Sequence, residues 1–228
     1  PSGGFIAPFT FVVGELDTIY CEDFEADDGG YIHELIAGED IEGADDWQWG
    51  QPGGLGGDPD FAWSGSSVWG NDLAPEENWN GEYQNEKFNR LTSIAVDVSG
   101  YEQVVLEYRR WLTVEDGYYD QARIRSNGEV VWENYATSRN EGEDHTQDVQ
   151  WVQHVVDISG TDEDGVVELS WEIESDQGLS MGGWNIDDVC LKGVLISNDD
   201  VVEDEDSEDD GGSDPSGSAL LDIEDGSL

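Results

Sequence analysis

Basic side chains are scarce in this chain. Eight Lys and Arg stand against 55 Asp and Glu, leaving a formal charge of −47 over 228 residues. A polyanion of this kind repels other polyanions, which excludes nucleic acid and anionic membrane surfaces as direct partners. Cysteine is nearly absent: Cys21 and Cys190 stand alone, with no CxxC or Cys/His spacing to hold zinc. No run approaches the roughly 20 apolar residues of a membrane-spanning helix, so membrane insertion is not expected. The three histidines, His33, His145 and His154, are scattered and form no HExxH. A GxSxG elbow, a Walker loop and a GxGxxG fingerprint are all missing. Paired carboxylates of the glycosidase kind do not stand out where acids are everywhere. These gaps favour a non-catalytic chain. The sequence opens at Pro1 with neither a basic n-region nor an apolar h-region, and reads as a mature form or an excised fragment.

What is present points to β structure. Ten Trp, 8 Tyr and 6 Phe supply large buried areas, and 29 Gly supply turns. Residues 1–19 read as an extended lead-in in which Phe9, Phe11 and Val13 alternate with Thr10 and Val12. Residues 20–197 read as one all-β body. Strands are expected over 91–98, 103–112, 121–125, 129–132, 151–158, 166–174 and 184–195. Asn127-Gly128 marks a hairpin turn between two of them. In 166–174 the alternation sends Val167, Leu169, Trp171 and Ile173 inward, and Glu168, Glu172 and Glu174 outward. The stretch before residue 91 is rich in Gly and Trp and shows no clear period. Residues 198–228 carry 13 acids and no base, the composition of a disordered acidic tail or linker.

The two cysteines sit in matched contexts. Tyr20-Cys21-Glu22-Asp23-Phe24-Glu25 opens the body, and Asn185-Ile186-Asp187-Asp188-Val189-Cys190 closes it. If the first and last strands are neighbours, Cys21 and Cys190 form a disulfide; the alternative is two buried thiols. Glu25 and Asp27 at the start, with Asp187 and Asp188 at the end, are candidate ligands for calcium, which prefers several oxygens at once. Strand alternation puts Asp187 and Asp188 on opposite faces, so one points inward, where a bare carboxylate needs a cation or donors. Otherwise these acids are solvated or pair with Arg109 or Arg110. Trp47, Trp49, Trp69 and Trp79 lie in the irregular region beside Gly, Asn and Asp. They are candidates to stack on sugar rings, the alternative being that they plug the ends of the fold.

Several segments together resemble the meprin/A5/mu (MAM) domain. They are more similar still to a related bacterial jelly-roll module found beside the catalytic domains of secreted peptidases, of the immune-inhibitor-A-like and carboxypeptidase types. The segments are Asp23-Phe24-Glu25, Gly29-Gly30-Tyr31, Asp46-Trp47-Gln48-Trp49-Gly50, Ser64-Gly65-Ser66-Ser67-Val68-Trp69-Gly70, Arg109-Arg110-Trp111-Leu112 and Gly182-Gly183-Trp184-Asn185-Ile186-Asp187-Asp188-Val189. The resemblance covers about residues 20–195. It implies a two-sheet antiparallel jelly-roll sandwich with adjacent termini. It also implies a calcium ion bridging Glu25 to Asp187 or Asp188, and an accessory, non-catalytic role outside the cell or at its surface. Its partners would be a glycan or an extracellular or cell-surface protein, beside an upstream catalytic domain in the parent chain. A structural or adhesive surface protein is the alternative, and a polysaccharide-degrading enzyme a weaker one. The further cysteines of eukaryotic MAM domains are missing here.

Overall fold

The computed structural model describes residues 15–74, 79–138, 144–162 and 164–196. The expected lead-in strand at 9–13 and the acidic tail at 198–228 lie outside the described residues. Fourteen strands follow one another among those described. They are β1 (Asp17–Glu22), β2 (Ile32–Ala37), β3 (Trp47–Gly50), β4 (Val68–Asn71), β5 (Phe88–Thr92), β6 (Val96–Asp97) and β7 (Tyr101–Val114). They continue with β8 (Gln121–Ser126), β9 (Glu129–Glu133), β10 (Thr146–Gln147), β11 (Val152–Asp157), β12 (Val166–Val167), β13 (Leu169–Glu174) and β14 (Gly183–Leu195).

They build an antiparallel two-sheet sandwich of the jelly-roll type. One sheet runs β10-β7-β14-β4-β3, with β1 added to β14 and β11 to β7; the other runs β2-β5-β13-β8-β9. β6 and β12 pair as a small separate ladder. Between the two large sheets lies an aromatic core. Trp171 stacks on Tyr31 at 6.2 Å between ring centroids and meets Tyr108 edge-on at 5.8 Å. Trp184 packs against Trp132 at 5.5 Å, and Phe24 against Tyr31 at 5.3 Å. Offset and edge-on geometries of this kind suit the ring quadrupoles and add to the area buried. A second, smaller cluster of Ala62, Val68, Leu73 and Trp151, flanked by Trp111, lies beneath the glycine-rich loop. Two indole N–H groups pin that loop: Trp111 Nε1 donates to Gly57 O and Trp151 Nε1 to Phe61 O.

The expected hairpin is present, with Asn127 at φ 49° and Gly128 at φ 83° between β8 and β9. That is the left-handed pair a two-residue turn demands. The expected strand at 91–98 divides into β5 and β6, and the one at 166–174 into β12 and β13. Both breaks fall at one place, where Ser93 N donates to Leu169 O and Leu169 N donates to the Ser93 hydroxyl. Both chains leave the five-stranded sheet there and pair again beyond it. Val167, Leu169, Trp171 and Ile173 do face inward.

Glu172 takes the outer face as expected, yet it has no exposed surface. β13 is the central strand of its sheet, and arginines from both neighbours roof its outer face. Arg90 Nη2 and Nε reach Glu172 Oε1 at 2.7 and 2.8 Å, and Arg125 Nε reaches Oε2 at 2.9 Å. The carboxylate is buried because it is doubly paired, the condition under which a protein tolerates such a charge.

Candidate functional site

β14 is the longest seam in the molecule. On one side it pairs with β7 from Gly183↔Thr113 to Leu195↔Tyr101. On the other side its neighbour changes. β4 pairs with Asn185 and Ile186, and β1 pairs from Val189 to Gly193. Asp187 and Asp188 occupy the changeover. The β14–β7 register slips between Asp187 and Cys190, and Asp188 takes φ 46°. This bulge removes the strict alternation expected of the two aspartates, so both turn to the same partner. Ser64 N donates to Asp187 Oδ2 at 3.0 Å, and the Ser64 hydroxyl donates to Asp188 Oδ1 at 2.8 Å. Asp187 Oδ1 accepts from Asp188 N at 2.8 Å.

Glu25, just beyond β1, grips the other end of the same loop. Its Oε1 accepts from Ser66 N at 2.8 Å and from Ser67 N at 2.7 Å. Gly65 sits between the two grips at φ 53°, and a Cβ added there would lie 2.0 Å from the Glu25 carboxyl carbon. Only glycine fits. Two residues past the changeover, Cys21 and Cys190 are cross-strand partners joined by a disulfide, with Cα atoms 4.1 Å apart. The expected disulfide between the start and end of the body is therefore present. Between the grips of Glu25 and of Asp187 with Asp188 lies the Ser64–Ser67 loop, which sequence reasoning quoted as a motif without giving it a role. A cleft lined by Glu22, Asp23, Glu107, Arg109 and Asp188 opens beside the disulfide.

The electrostatics follow from this wiring. Two backbone N–H donors hold the Glu25 carboxyl below its usual range. Burial pushes Asp187 up to about 7, against the pull of its N–H donors and with the Asp188 charge adding to the rise. Two backbone N–H donors answer the inward carboxylate. Asp27 turns away and accepts from Gly29 N in a local turn. Among the described residues, no three of Glu25, Asp27, Asp187 and Asp188 bring oxygens within 4.8 Å of one another; Glu115, Asp120 and Asp176 do. Neither Arg109 nor Arg110 pairs with the junction acids. Arg109 lies over the Trp63 ring at 4.2 Å, and Arg110 binds Asp148.

The four tryptophans proposed for sugar stacking divide. Trp47 is 2% exposed and Trp69 3%, both in the main core, so neither offers a face to a ligand. β3 and β4 turn their indoles into the sandwich, a pairing invisible in an aperiodic stretch. Trp49 is 42% exposed at the end of β3, its indole N–H donating to Phe24 O. Trp79 is half-buried against Gly43. Trp63, in the same irregular stretch, is 46% exposed, and the structure adds Phe61, at 59%. Nothing in the local sequence separated these two from Trp47 and Trp69.

Two further buried groups hold the frame. Asp46 has no exposed surface and accepts from Asn71 Nδ2, Asn89 Nδ2 and Gln84 N, tying β4, β5 and the loop between them. Burial raises its carboxyl to about 7. His154 lies under Tyr108 and Trp132. Burial, helped by the Arg110 charge, lowers it to about 3.

No family model matches the chain. Bacillopeptidase F of Bacillus subtilis (strain 168) is 25% identical over 173 residues, covering 75% of this chain and 10% of that protein. The chain thus spans about a tenth of the length of this curated relative. Among solved structures, the K3 cleaved adhesin domain of Lys-gingipain from Porphyromonas gingivalis W83 aligns at a TM-score of 0.46 and 14% identity, over 78% of this chain and 99% of that one. The K2 cleaved adhesin domain of Lys-gingipain aligns at 0.43 and 20%, over 75% and 96%. The mannan-recognising carbohydrate-binding module TmCBM27 aligns at 0.44 and 14%, over 79% and 99%.

Proposed function

We propose that this chain is a non-catalytic, extracellular binding module of a larger protein, a peptidase, and that its body engages a glycan or a protein surface. The observation that carries the reading is an exposed aromatic held in a fixed pose. Trp63 is nearly half exposed, yet the Arg109 guanidinium lies over its ring at 4.2 Å, and the next residue's N–H is bonded to the buried Asp187. An indole ordered before binding loses little freedom on contact, which is how aromatic anchors give affinity. The partial likeness to a peptidase ten times the matched length supports an accessory role. The disulfide supports an oxidising location.

A structural calcium ion at Glu25, Asp187 and Asp188 is part of the proposal. It would compete with the N–H donors of the Ser64–Ser67 loop for the same carboxylates.

Glycan and cell-surface protein arrays probed with the purified chain test the reading. Binding is expected, with a loss of tenfold or more in Trp63→Ala at an unchanged melting temperature. Trp47→Ala should instead unfold the body at lower temperature. Turnover of a polysaccharide by the chain, or binding indifferent to Trp63→Ala and Trp49→Ala alike, would overturn it.

A further inference from the structure

Beyond the closure junction, three acids meet at one end of the sandwich. Gln121 and Glu174 are register partners where β8 begins and β13 ends. Asp120 and Asp176 therefore emerge side by side from one sheet. Glu115 follows the last residue of β7, in the other sheet. One oxygen from each lies within 4.8 Å of the other two. Two ligands each about 2.4 Å from a calcium ion are at most about 4.8 Å apart, so the three oxygens meet the spacing that sharing one ion requires.

Proximity of acids alone would mean little in so acidic a chain. The second observation is the state of Glu115. The residue is 9% exposed, and its Oε2 is shut off from solvent with no hydrogen-bond partner. The other acids of the group are partly satisfied. Asp120 Oδ2 accepts from the Tyr83 hydroxyl at 2.5 Å and Oδ1 from Asp176 N at 2.8 Å, while Asp176 Oδ1 accepts from Gly178 N. None of the three enters an ion pair among the described residues. Burial, and then the charges of Asp120 and Asp176, raise the Glu115 carboxyl against the pull of the His145 charge and the Leu179 N–H; burial, with Asp176 adding, raises Asp120 against its Tyr83 and Asp176 donors. A buried acceptor without a donor, facing two like charges, calls for a partner, and a bound cation would answer all three groups at once. Gly178 keeps the space open, since a Cβ there would come within 2.7 Å of Asp176 Oδ1 and 3.4 Å of Glu115 Oε2.

We propose that Glu115, Asp120 and Asp176 bind a calcium ion that clasps the two sheets together at this end. An all-carboxylate set suits a hard cation better than zinc, whose structural sites are built from Cys and His. Ligands on three separate loop positions suit the variable coordination of calcium better than the strict octahedron of magnesium.

The test uses the full chain stripped with EDTA and titrated with CaCl2 at near-physiological ionic strength, where loose ion binding to the acidic surface is screened. Calorimetry should show a saturable site, and calcium should raise the melting temperature. In Glu115→Gln/Asp176→Asn that site and its share of the rise are lost. In the Glu25→Gln/Asp188→Asn background, where the junction ion is removed, adding Glu115→Gln should raise the melting temperature in EDTA, because a repulsion is relieved, yet abolish any gain from calcium. A merely structural glutamate would not produce that reversal. The closure junction is read separately through Glu25→Gln/Asp188→Asn, which should keep this site. Retention of the calcium response in Glu115→Gln/Asp176→Asn, with its loss in Glu25→Gln/Asp188→Asn, overturns the inference while leaving the junction ion standing. No saturable site in the wild type overturns both ions but not glycan or protein binding. Magnesium binding as tightly as calcium overturns the choice of ion.

Discussion

Reducing the disulfide should destabilise this protein more than any single core truncation, through the unfolded chain alone. Cys21 and Cys190 are 169 residues apart. The chain-entropy estimate for a loop of that length is about 5 kcal/mol at 25 °C. For a body of this size that corresponds to a fall of roughly 10–20 °C in melting temperature. The native state has independent reasons to stay as it is. β1 keeps its register on β14 through four further pairs, and Phe24, just beyond β1, is fully buried. The expectation is therefore a large shift in urea midpoint, an unchanged near-ultraviolet tryptophan spectrum without urea, and a steeper slope. The slope rises because an uncrosslinked unfolded chain exposes more surface. Urea melts of the oxidised chain, the chain in reductant and Cys21→Ala/Cys190→Ala supply the comparison. A midpoint shift worth less than about 1 kcal/mol, with the slope unchanged, would refute the reasoning. Loss of the native spectrum in reductant without urea would also refute it, by placing the effect in the folded state.

Three other expectations follow from the buried polar groups. Glu172→Ala leaves Arg90 and Arg125 facing an empty site under the sheet. It should cost about 3 kcal/mol in urea melts, the low end for a broken buried pair because both arginines keep solvent access; a change near zero would show that the pair is not desolvated. Asp46 and His154 should give opposite pH trends. Asp46 has its folded value raised to about 7, so its stability contribution is present at low pH and lost as pH rises from 4 to 7. His154 is lowered to about 3, so its contribution is present above pH 6.5 and lost as pH falls below it. Between pH 5 and 8, Asp46→Asn should therefore gain on wild type as pH rises and His154→Gln should lose on it; parallel curves would remove the assignment. Gly65→Ala should lower stability by at least the 1–2 kcal/mol of a left-handed alanine, and its Cβ must also displace Glu25. Urea melts of this variant in the Glu25→Gln background should show a smaller penalty, and strictly additive penalties would mean that the clamp is not formed.

Much of the frame was legible because local chemistry wrote it. Asn127-Gly128 has one economical conformation between two alternating strands. Val167 to Ile173 carries its inward face in its period, and the two cysteine contexts mark the first and last strands whichever way the chain runs between them. β3 and β4 were not legible. Each is four residues long, too short to show a period, and each is recognised as a strand only by the other. The burial of Glu172 was hidden for a related reason. Alternation reports which face a side chain takes, while its burial depends on what a neighbouring strand lays across that face.

The same division runs through the sites. The sequence by itself determined the all-β class and singled out Cys21 with Cys190, and Glu25 with Asp187 and Asp188, as candidates, since strand period and residue chemistry are local properties. Only the tertiary structure decided what those acids hold. The change of neighbour along β14 from β4 to β1, and the bulge at Asp188, bring Asp187 and Asp188 to Ser64, more than 120 residues away, while Glu25 holds the backbone of Ser66 and Ser67, 41 and 42 residues away. It alone brought Glu115, Asp120 and Asp176 together, because strand register across two sheets, and not spacing along the chain, sets which carboxylates share a space.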